Sequence, residues 1–157
     1  MLTKNPSFTY EVIDYNDIAK NSEFLSKLKE LTLDSWSGLN HELRTLSTLV
    51  QKRKVKCKIL VARTIANTHP IQSIVAWAML SDEESDYYFS TGGKYSKEKG
   101  KLFQVYVSES YRRLGIGSDL MKVAKRRCGK AKICICPWDY RSRTFFTKFS
   151  KYQHVKV

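Results

Sequence analysis

The first half of the chain changes between strand-like and helix-like spacing of its apolar residues. Residues 7–15 alternate apolar and polar positions, which predicts a first strand. Apolar residues then recur every three to four positions in two stretches, which predicts one helix capped by Ser22 and a second helix capped by Asn40. Two apolar strands follow at 57–65 and 71–80, and the Asn-Thr-His-Pro turn between them indicates a hairpin.

The second half of the chain continues this alternation after a polar stretch at 81–100. Its patterns predict, in order, a strand at 102–107, a helix at 115–128, a strand at 132–137, a short helix at 140–149 and a last strand at 152–157. We find no internal repeat or linker, so the pattern indicates one mixed α/β domain over residues 1–157.

Composition limits the class of protein. A chain of 157 residues with 42% hydrophobic residues is long enough to bury about two-thirds of its unfolded surface in one domain. No apolar run approaches the ~20 residues that cross a bilayer, and no secretory signal is visible. We therefore expect a cytoplasmic protein without a membrane partner. The four cysteines form no Cys-x-x-Cys pair, so we expect reduced, packed thiols and no metal site.

Charge is distributed very unevenly along the sequence. Residues 1–91 hold 11 Lys and Arg against 11 Asp and Glu, whereas residues 92–157 hold 17 against 4, so the net charge of +13 lies in the second part. This asymmetry predicts an acidic partner, either a protein or a nucleic acid. Interleaved Tyr and Phe residues near the C-terminus keep a nucleic-acid-binding protein open as an alternative function. A solvated basic surface without any partner is the other interpretation.

The most specific chemical signal lies between the strand at 102–107 and the helix that follows it. A strand that leads through a glycine-containing turn into a helix N-terminus is an anion site, because backbone N–H groups there have no intrahelical partner. Gly115 and Gly117 allow the backbone to approach a ligand closely. Arg112 and Arg113 stand at the helix end where cations are unfavourable, which also indicates a bound anion.

The spacing of the glycines decides which phosphate-binding loop this is. A Walker loop needs Gly-x4-Gly-Lys-Ser/Thr, which Gly92-Gly93-Lys94 does not satisfy, and a dinucleotide fingerprint would need a glycine in place of Leu120. The pattern that remains, Arg/Gln-x-x-Gly-x-Gly/Ala, is met by Arg112, Gly115 and Gly117. At this point the chain resembles the GNAT superfamily of acyl-CoA N-acyltransferases.

A second segment supports the resemblance. Residues 139–149 are similar to the family's Asn-x-x-Ala-x-x-Phe-Tyr-x-Lys motif, with Asp139 in the Asn position and Phe146 in the Tyr position. The resemblance implies a GNAT-like central mixed sheet of about six strands flanked by four helices, here with a truncated C-terminal hairpin. It also implies acetyl-CoA as co-substrate, bound by Val105, Tyr106, Val107, Arg112, Arg113, Leu114, Gly115, Ile116, Gly117, Ser118, Asp139 and Phe146.

The resemblance further implies a mechanism. In the family an amine attacks the thioester directly, and the pantetheine arm lies between two strands that correspond here to 102–107 and 132–137. The N–H near Val107 is then expected to donate to the thioester oxygen, and the acceptor is expected to be a protein or another macromolecule. Phe146 lacks the hydroxyl with which the family's Tyr protonates the leaving thiolate, so no catalytic residue is assigned. A degenerate member that binds coenzyme A without turnover remains an alternative, and the unfinished sheet edge leaves a homodimer open.

Overall fold

The computed structural model describes residues 7–32, 57–91, 94–135 and 155–156. In chain order the elements are β1 Phe8–Asp14, α1 Tyr15–Ile18, α2 Ser22–Thr32, β2 Cys57–Thr64, β3 Ile74–Ser81, β4 Ser85–Thr91, β5 Lys94–Val107, a short 3₁₀ turn Glu109–Tyr111, α3 Ile116–Cys128, β6 Ile133–Ile135 and β7 Val155–Lys156. In this part of the chain, no helix is long and apolar enough to span a membrane.

The strands form one mixed sheet. Its main path runs in the order β1-β2-β3-β5-β6-β7, and β4 pairs only with β5. The pairs from β1 to β5 are antiparallel, whereas β5–β6 and β6–β7 are parallel. The first part of β5 pairs with β4 and its last part pairs with β3, so this strand belongs to both a hairpin and the main sheet. The predicted α/β class and the sheet of about six strands are confirmed.

Helices cover both faces of the sheet because its central strands are apolar on both sides. One face is packed against α3, with Leu60, Ala78, Phe103, Leu120 and Ile133 at the centre of the contact. The other face is packed against α1 and α2, with Ile59, Trp77, Tyr106, Ile18 and Leu28 at its centre. Strand β3 lies between the two layers, and its residues from Ile74 to Leu80 are all buried.

The N-terminal helices begin at side-chain caps that the sequence pattern did not identify. The helix α2 was predicted to be capped by Ser22, but the Oδ1 of Asn21 accepts the N–H of Phe24 at 3.0 Å, so Asn21 is the capping residue. A single helical turn, α1, was not predicted. It follows β1 directly and is capped by Asp14, whose carboxylate accepts the N–H of Asn16.

The polar stretch at 81–100 is a β-hairpin rather than a connecting segment. The strand predicted at 102–107 is the end of the 14-residue strand β5, whose first residues pair with β4. The sequence of this hairpin lacks the strict apolar–polar alternation from which strands are predicted, since Tyr87, Tyr88 and Phe89 are consecutive. The helices predicted at 40–50 and 140–149 lie outside the described residues, so the three described helices do not test the predicted number.

Strands β5 and β6 approach each other closely at Gly100. A Cβ at this position would lie 2.6 Å from the carbonyl oxygen of Lys132 and 2.7 Å from Sγ of Cys134. Glycine therefore permits the parallel pairing that begins at the next residue, where the N–H of Lys101 donates to Lys132 at 2.8 Å. This approach fixes the position of the two strands that border the candidate site.

Candidate active site

The described pairing between β5 and β6 is short. It joins Lys101 to Ile133, Leu102 to Cys134 and Phe103 to Ile135. On its other edge, β5 stays paired with β3 as far as Val107. Among the described residues, which include β6 only as far as Ile135, the segment from Gln104 to Val107 has a neighbouring strand on one edge, and we call its other edge the open edge.

Backbone alternation shows which polar groups lie on the open edge. The N–H of Lys101 donates to β6, whereas the N–H of Ser108 donates to Val75 of β3 at 3.1 Å. Because backbone groups of successive residues in a strand face opposite edges, those of Val105 and Val107 lie on the same side as those of Lys101. An extended ligand beside this edge would meet the N–H and C=O groups of both valines.

The loop after β5 is short and folded on itself. The N–H of Tyr111 donates to the carbonyl of Ser108 at 2.8 Å, and the Tyr111 ring packs edge-on against Phe8 at 6.1 Å. The chain then takes left-handed conformations at Arg113, with φ of 65°, and at Gly115, with φ of 84°. The conformation is unfavourable for a non-glycine residue such as Arg113, by about 1–2 kcal/mol.

This loop connects the end of β5 to the N-terminus of α3. Gly115 is the N-cap and provides no side-chain hydrogen bond to the helix. The first helical hydrogen bond runs from the N–H of Asp119 to the carbonyl of Gly115 at 3.0 Å, so the N–H groups of Ile116 and Gly117 precede it. Together with the positive end of the helix dipole, these groups form a site suited to an anion.

The two arginines of the loop differ in their contacts. The Nε of Arg112 donates to the carbonyl of Val107 at 3.0 Å, and its guanidinium lies 5.5 Å from the centre of the Tyr106 ring. Arg113 is exposed and makes no hydrogen bond or ion pair with any described residue. The sequence suggested a similar role for both, but only Arg113 extends its charge away from the end of β5.

A hydrogen bond that sequence analysis missed connects α3 to the far edge of the sheet. The hydroxyl of Tyr10 in β1 donates to Oδ2 of Asp119 at 2.8 Å, and Asp119 is only 5% exposed. A carboxylate in the first turn of a helix is favoured by the helix dipole. The only signal in the sequence was one acidic residue in the first turn of a helix within a strongly basic half of the chain.

Two buried polar atoms lie on the sheet face that packs against α1 and α2. Nε1 of Trp77 and Oε1 of Gln104 have no hydrogen-bond partner among the described residues. Trp77 pairs with Tyr106 and Gln104 pairs with Met79, so the two side chains lie diagonally on neighbouring strands. An unpaired buried polar group costs about 1–3 kcal/mol, so this position favours a water molecule or a polar ligand group.

The described cysteines are not nucleophiles. Cys57, Cys128 and Cys134 are buried and form no disulfide among the described residues. Burial raises the pKa of the Cys57 thiol to about 12, and burial also raises the pKa of Cys128. Because a thiolate rather than a thiol attacks an acyl group, these residues do not support a covalent acyl-enzyme.

Ten of the twelve predicted site residues thus lie along one continuous path, from the open edge of β5 through the loop to the start of α3. They are Val105, Tyr106, Val107, Arg112, Arg113, Leu114, Gly115, Ile116, Gly117 and Ser118. The backbone groups of Tyr106 face β3. This residue therefore contacts the path only through its side chain, whose ring lies beneath the Arg112 guanidinium. The other two, Asp139 and Phe146, lie outside the described residues.

The model of the acetyltransferase (GNAT) family matches residues 25–150. The chain belongs to this family. No curated protein sequence matches the chain. Family membership confirms the predicted class of enzyme, an acyl-CoA-dependent N-acetyltransferase, and its co-substrate, acetyl-CoA.

Solved structures of acetyltransferases share the fold. A predicted acetyltransferase of Clostridium acetobutylicum, solved with acetyl-CoA, has a TM-score of 0.54 at 17% identity, covering 93% of this chain and 90% of that one. The glucosamine-6-phosphate N-acetyltransferase of Arabidopsis thaliana has a TM-score of 0.52 at 16% identity, covering 92% of each. A point mutant of the AtaT toxin, bound to the C-terminus of the antitoxin AtaR, has a TM-score of 0.54 at 14% identity, covering 91% and 83%. At these identities the likeness shows the fold alone.

Proposed function

We propose that the chain transfers an acetyl group from acetyl-CoA to an amine by direct attack, with the coenzyme bound along β5 and at the start of α3. The observation that carries this proposal is the continuity of the path. The edge at Val105 and Val107 leads within nine residues to the helix N-terminus at Ile116. A pantetheine arm paired with that edge would bring its diphosphate to the loop.

The position of Val107 supports a role for its N–H in catalysis. When an amine attacks a thioester, negative charge develops on the carbonyl oxygen. A backbone N–H that is already fixed in a sheet can stabilise this charge without reorganisation, and one such donor is typically worth about 10²–10³ in kcat. The N–H of Val107 lies on the open edge, beside the position expected for the thioester.

We further propose that the amine belongs to an acidic protein or another acidic macromolecule. No acidic residue occurs from 120 to 135, and the exposed cations of this segment include Lys122 in the middle of α3, Arg126 in its last turn and Lys130 just beyond it. These three form no ion pair with the described residues. Since α3 has 13 residues, its two ends are about 20 Å apart. A coenzyme at its N-terminus would leave the cations at its C-terminal end without a partner.

The test of the proposed function is acetyl transfer by the purified protein, measured as release of the coenzyme thiol. Candidate acceptors are an acidic protein, an aminoacylated RNA and a small primary amine at equal amine concentration. Faster transfer to either macromolecule, weakened steeply by salt, is expected from a charge-driven contact. An R126Q/K130Q variant should lose this preference while keeping its rate with the small amine. Equal rates with all three acceptors, insensitive to salt, would contradict the macromolecular acceptor.

A further inference from the structure

The side chain of Arg112 turns back towards the strand that precedes it. Its Nε donates to the carbonyl of Val107, five residues earlier, at 3.0 Å. The guanidinium also lies 5.5 Å from the centre of the Tyr106 ring, which is a favourable distance for a cation above an aromatic face. Both contacts involve the last residues of β5 and neither involves the start of α3.

These contacts hold one peptide unit at both of its polar groups. In the peptide that joins Val107 to Ser108, the carbonyl oxygen accepts from Arg112. The N–H of the same peptide, which belongs to Ser108, donates to the carbonyl of Val75 at 3.1 Å. The peptide plane therefore cannot rotate without losing a hydrogen bond, and the bond from Arg112 is strengthened by its charge. The N–H of Val107 belongs to the preceding peptide, which is joined to this plane through the φ and ψ angles of Val107, so holding the plane also restricts the direction of that N–H.

The carbonyl of Val107 remains able to accept a second hydrogen bond, because a carbonyl oxygen has two lone pairs. A ligand beside the open edge of β5 can thus pair with Val107 while Arg112 stays in place. Val107, whose carbonyl Arg112 contacts, is therefore the last residue of β5 with which an extended ligand can pair.

Arg113 is in a different position. It has a left-handed conformation two residues before the N-cap of α3, and its exposed side chain has no partner among the described residues. The charge of Arg113 is therefore available to an anion at the helix N-terminus, whereas the Nε of Arg112 donates to the Val107 carbonyl and its guanidinium lies beside the Tyr106 ring.

We propose that the two adjacent arginines have separate roles in coenzyme binding. Arg112 is a positioning residue that holds the Val107 end of β5, and Arg113 is the arginine that contacts the diphosphate. This inference rests on the proposed function, because it requires the coenzyme to lie on this path.

The two roles are separated by comparing acetyl-CoA with S-acetylpantetheine, which has the thioester arm but no diphosphate. The variants R112M and R113M remove the same charge from neighbouring exposed positions, so each is the control for the other. R113M is expected to weaken acetyl-CoA binding roughly tenfold or more, as loss of a hydrogen bond to a charged group does, and to leave S-acetylpantetheine unchanged. R112M is expected to weaken both ligands by the same factor.

A glutamine at position 112 provides the rescue experiment. R112Q keeps a side-chain N–H donor for the Val107 carbonyl but has no charge, so it should restore most of the affinity that R112M loses. If R112Q binds as poorly as R112M, or if R112M weakens acetyl-CoA alone, Arg112 acts through its charge on the diphosphate and the proposal is overturned.

Hydrogen exchange at the amide of Ser108 tests the positioning role without any coenzyme. Exchange is expected to be faster in R112M than in the wild-type protein and unchanged in R113M. Equal exchange in all three proteins would overturn the positioning role. Failure of the wild-type protein to bind either ligand would overturn the proposed function and the role of Arg113, while the exchange result would still decide the role of Arg112.

Discussion

Replacing Gly100 with alanine perturbs the closest described approach between β5 and β6. The new Cβ would lie 2.6 Å from the carbonyl oxygen of Lys132 and 2.7 Å from Sγ of Cys134, whereas ordinary contact requires about 3.5 Å. Moving β6 away by the missing distance would lengthen the 2.8 Å hydrogen bond from Lys101 to Lys132. The sheet would be weakened at the point where the parallel pairing of β5 with β6 begins.

The expected loss of stability can be worked from these contacts. Forcing an extra methyl group into a packed interior costs about 1–3 kcal/mol, and weakening the hydrogen bond adds about 1 kcal/mol. Alanine recovers about 0.4–1 kcal/mol by restricting the unfolded chain. We therefore expect G100A to lose about 2–3 kcal/mol, which lowers Tm by about 4–12 °C in a domain of this size.

The matched control is G115A, measured in the same thermal denaturation by circular dichroism. A Cβ on Gly115 meets no atom within 4 Å, so only the left-handed conformation opposes it. The cost of about 1–2 kcal/mol is partly offset by the same unfolded-chain effect, which leaves about 1 kcal/mol. A G100A variant that is as stable as G115A, or more stable, would contradict the close approach of β6 to β5 at Gly100.

Three further predictions concern stability and reactivity. Y10F should lower the free energy of unfolding by about 1.5–3 kcal/mol, because it removes a hydrogen bond to the buried Asp119 carboxylate. An unchanged midpoint of denaturant unfolding would show that this bond contributes nothing to stability. The hydrogen bond from Lys58 holds the pKa of Asp14 below its ordinary value of 3.8. The stabilisation of the folded protein by this ion pair is therefore present above that pH and is lost as the pH falls through the lower pKa that Asp14 has in the folded protein. K58M should therefore lose less stability than wild type on acidification, and parallel pH profiles would contradict this. Native Cys57, with its pKa raised to about 12, should resist iodoacetamide at about pH 8 until the protein unfolds, and labelling of the folded protein seen by mass spectrometry would refute it.

The parts of the fold that the sequence predicted are those whose signals are local. The helix from Ile116 to Cys128 shows apolar spacing along its whole length and ends at Gly129, which has φ of 59°. The loop before it was predicted from the two glycines and the preceding apolar strand. In each case a few neighbouring residues determine the structure, so the pattern is visible without knowledge of the rest of the chain.

The parts that were missed depend on contacts between distant residues or on weak local patterns. The bond between Tyr10 and Asp119 joins residues 109 positions apart, and neither residue is unusual in its own segment. The sequence of β4 does not alternate strictly between apolar and polar residues, so the pattern did not predict a strand there. The return of Arg112 to Val107 depends on the shape of the loop, so sequence alone treated both arginines as equivalent.

If acetyl-CoA binds at the N-terminus of α3, a glutamate at position 117 should abolish its binding, which calorimetric titration of the G117E variant with acetyl-CoA measures. Glutamate near a helix N-terminus favours the helix and repels a bound diphosphate, so the fold should persist while binding is lost. K122Q removes one positive charge from an exposed position further along α3 and should bind like the wild-type protein. Binding by wild type and K122Q, but not by folded G117E, is the predicted result. Equal binding by G117E would place the coenzyme elsewhere and contradict the account.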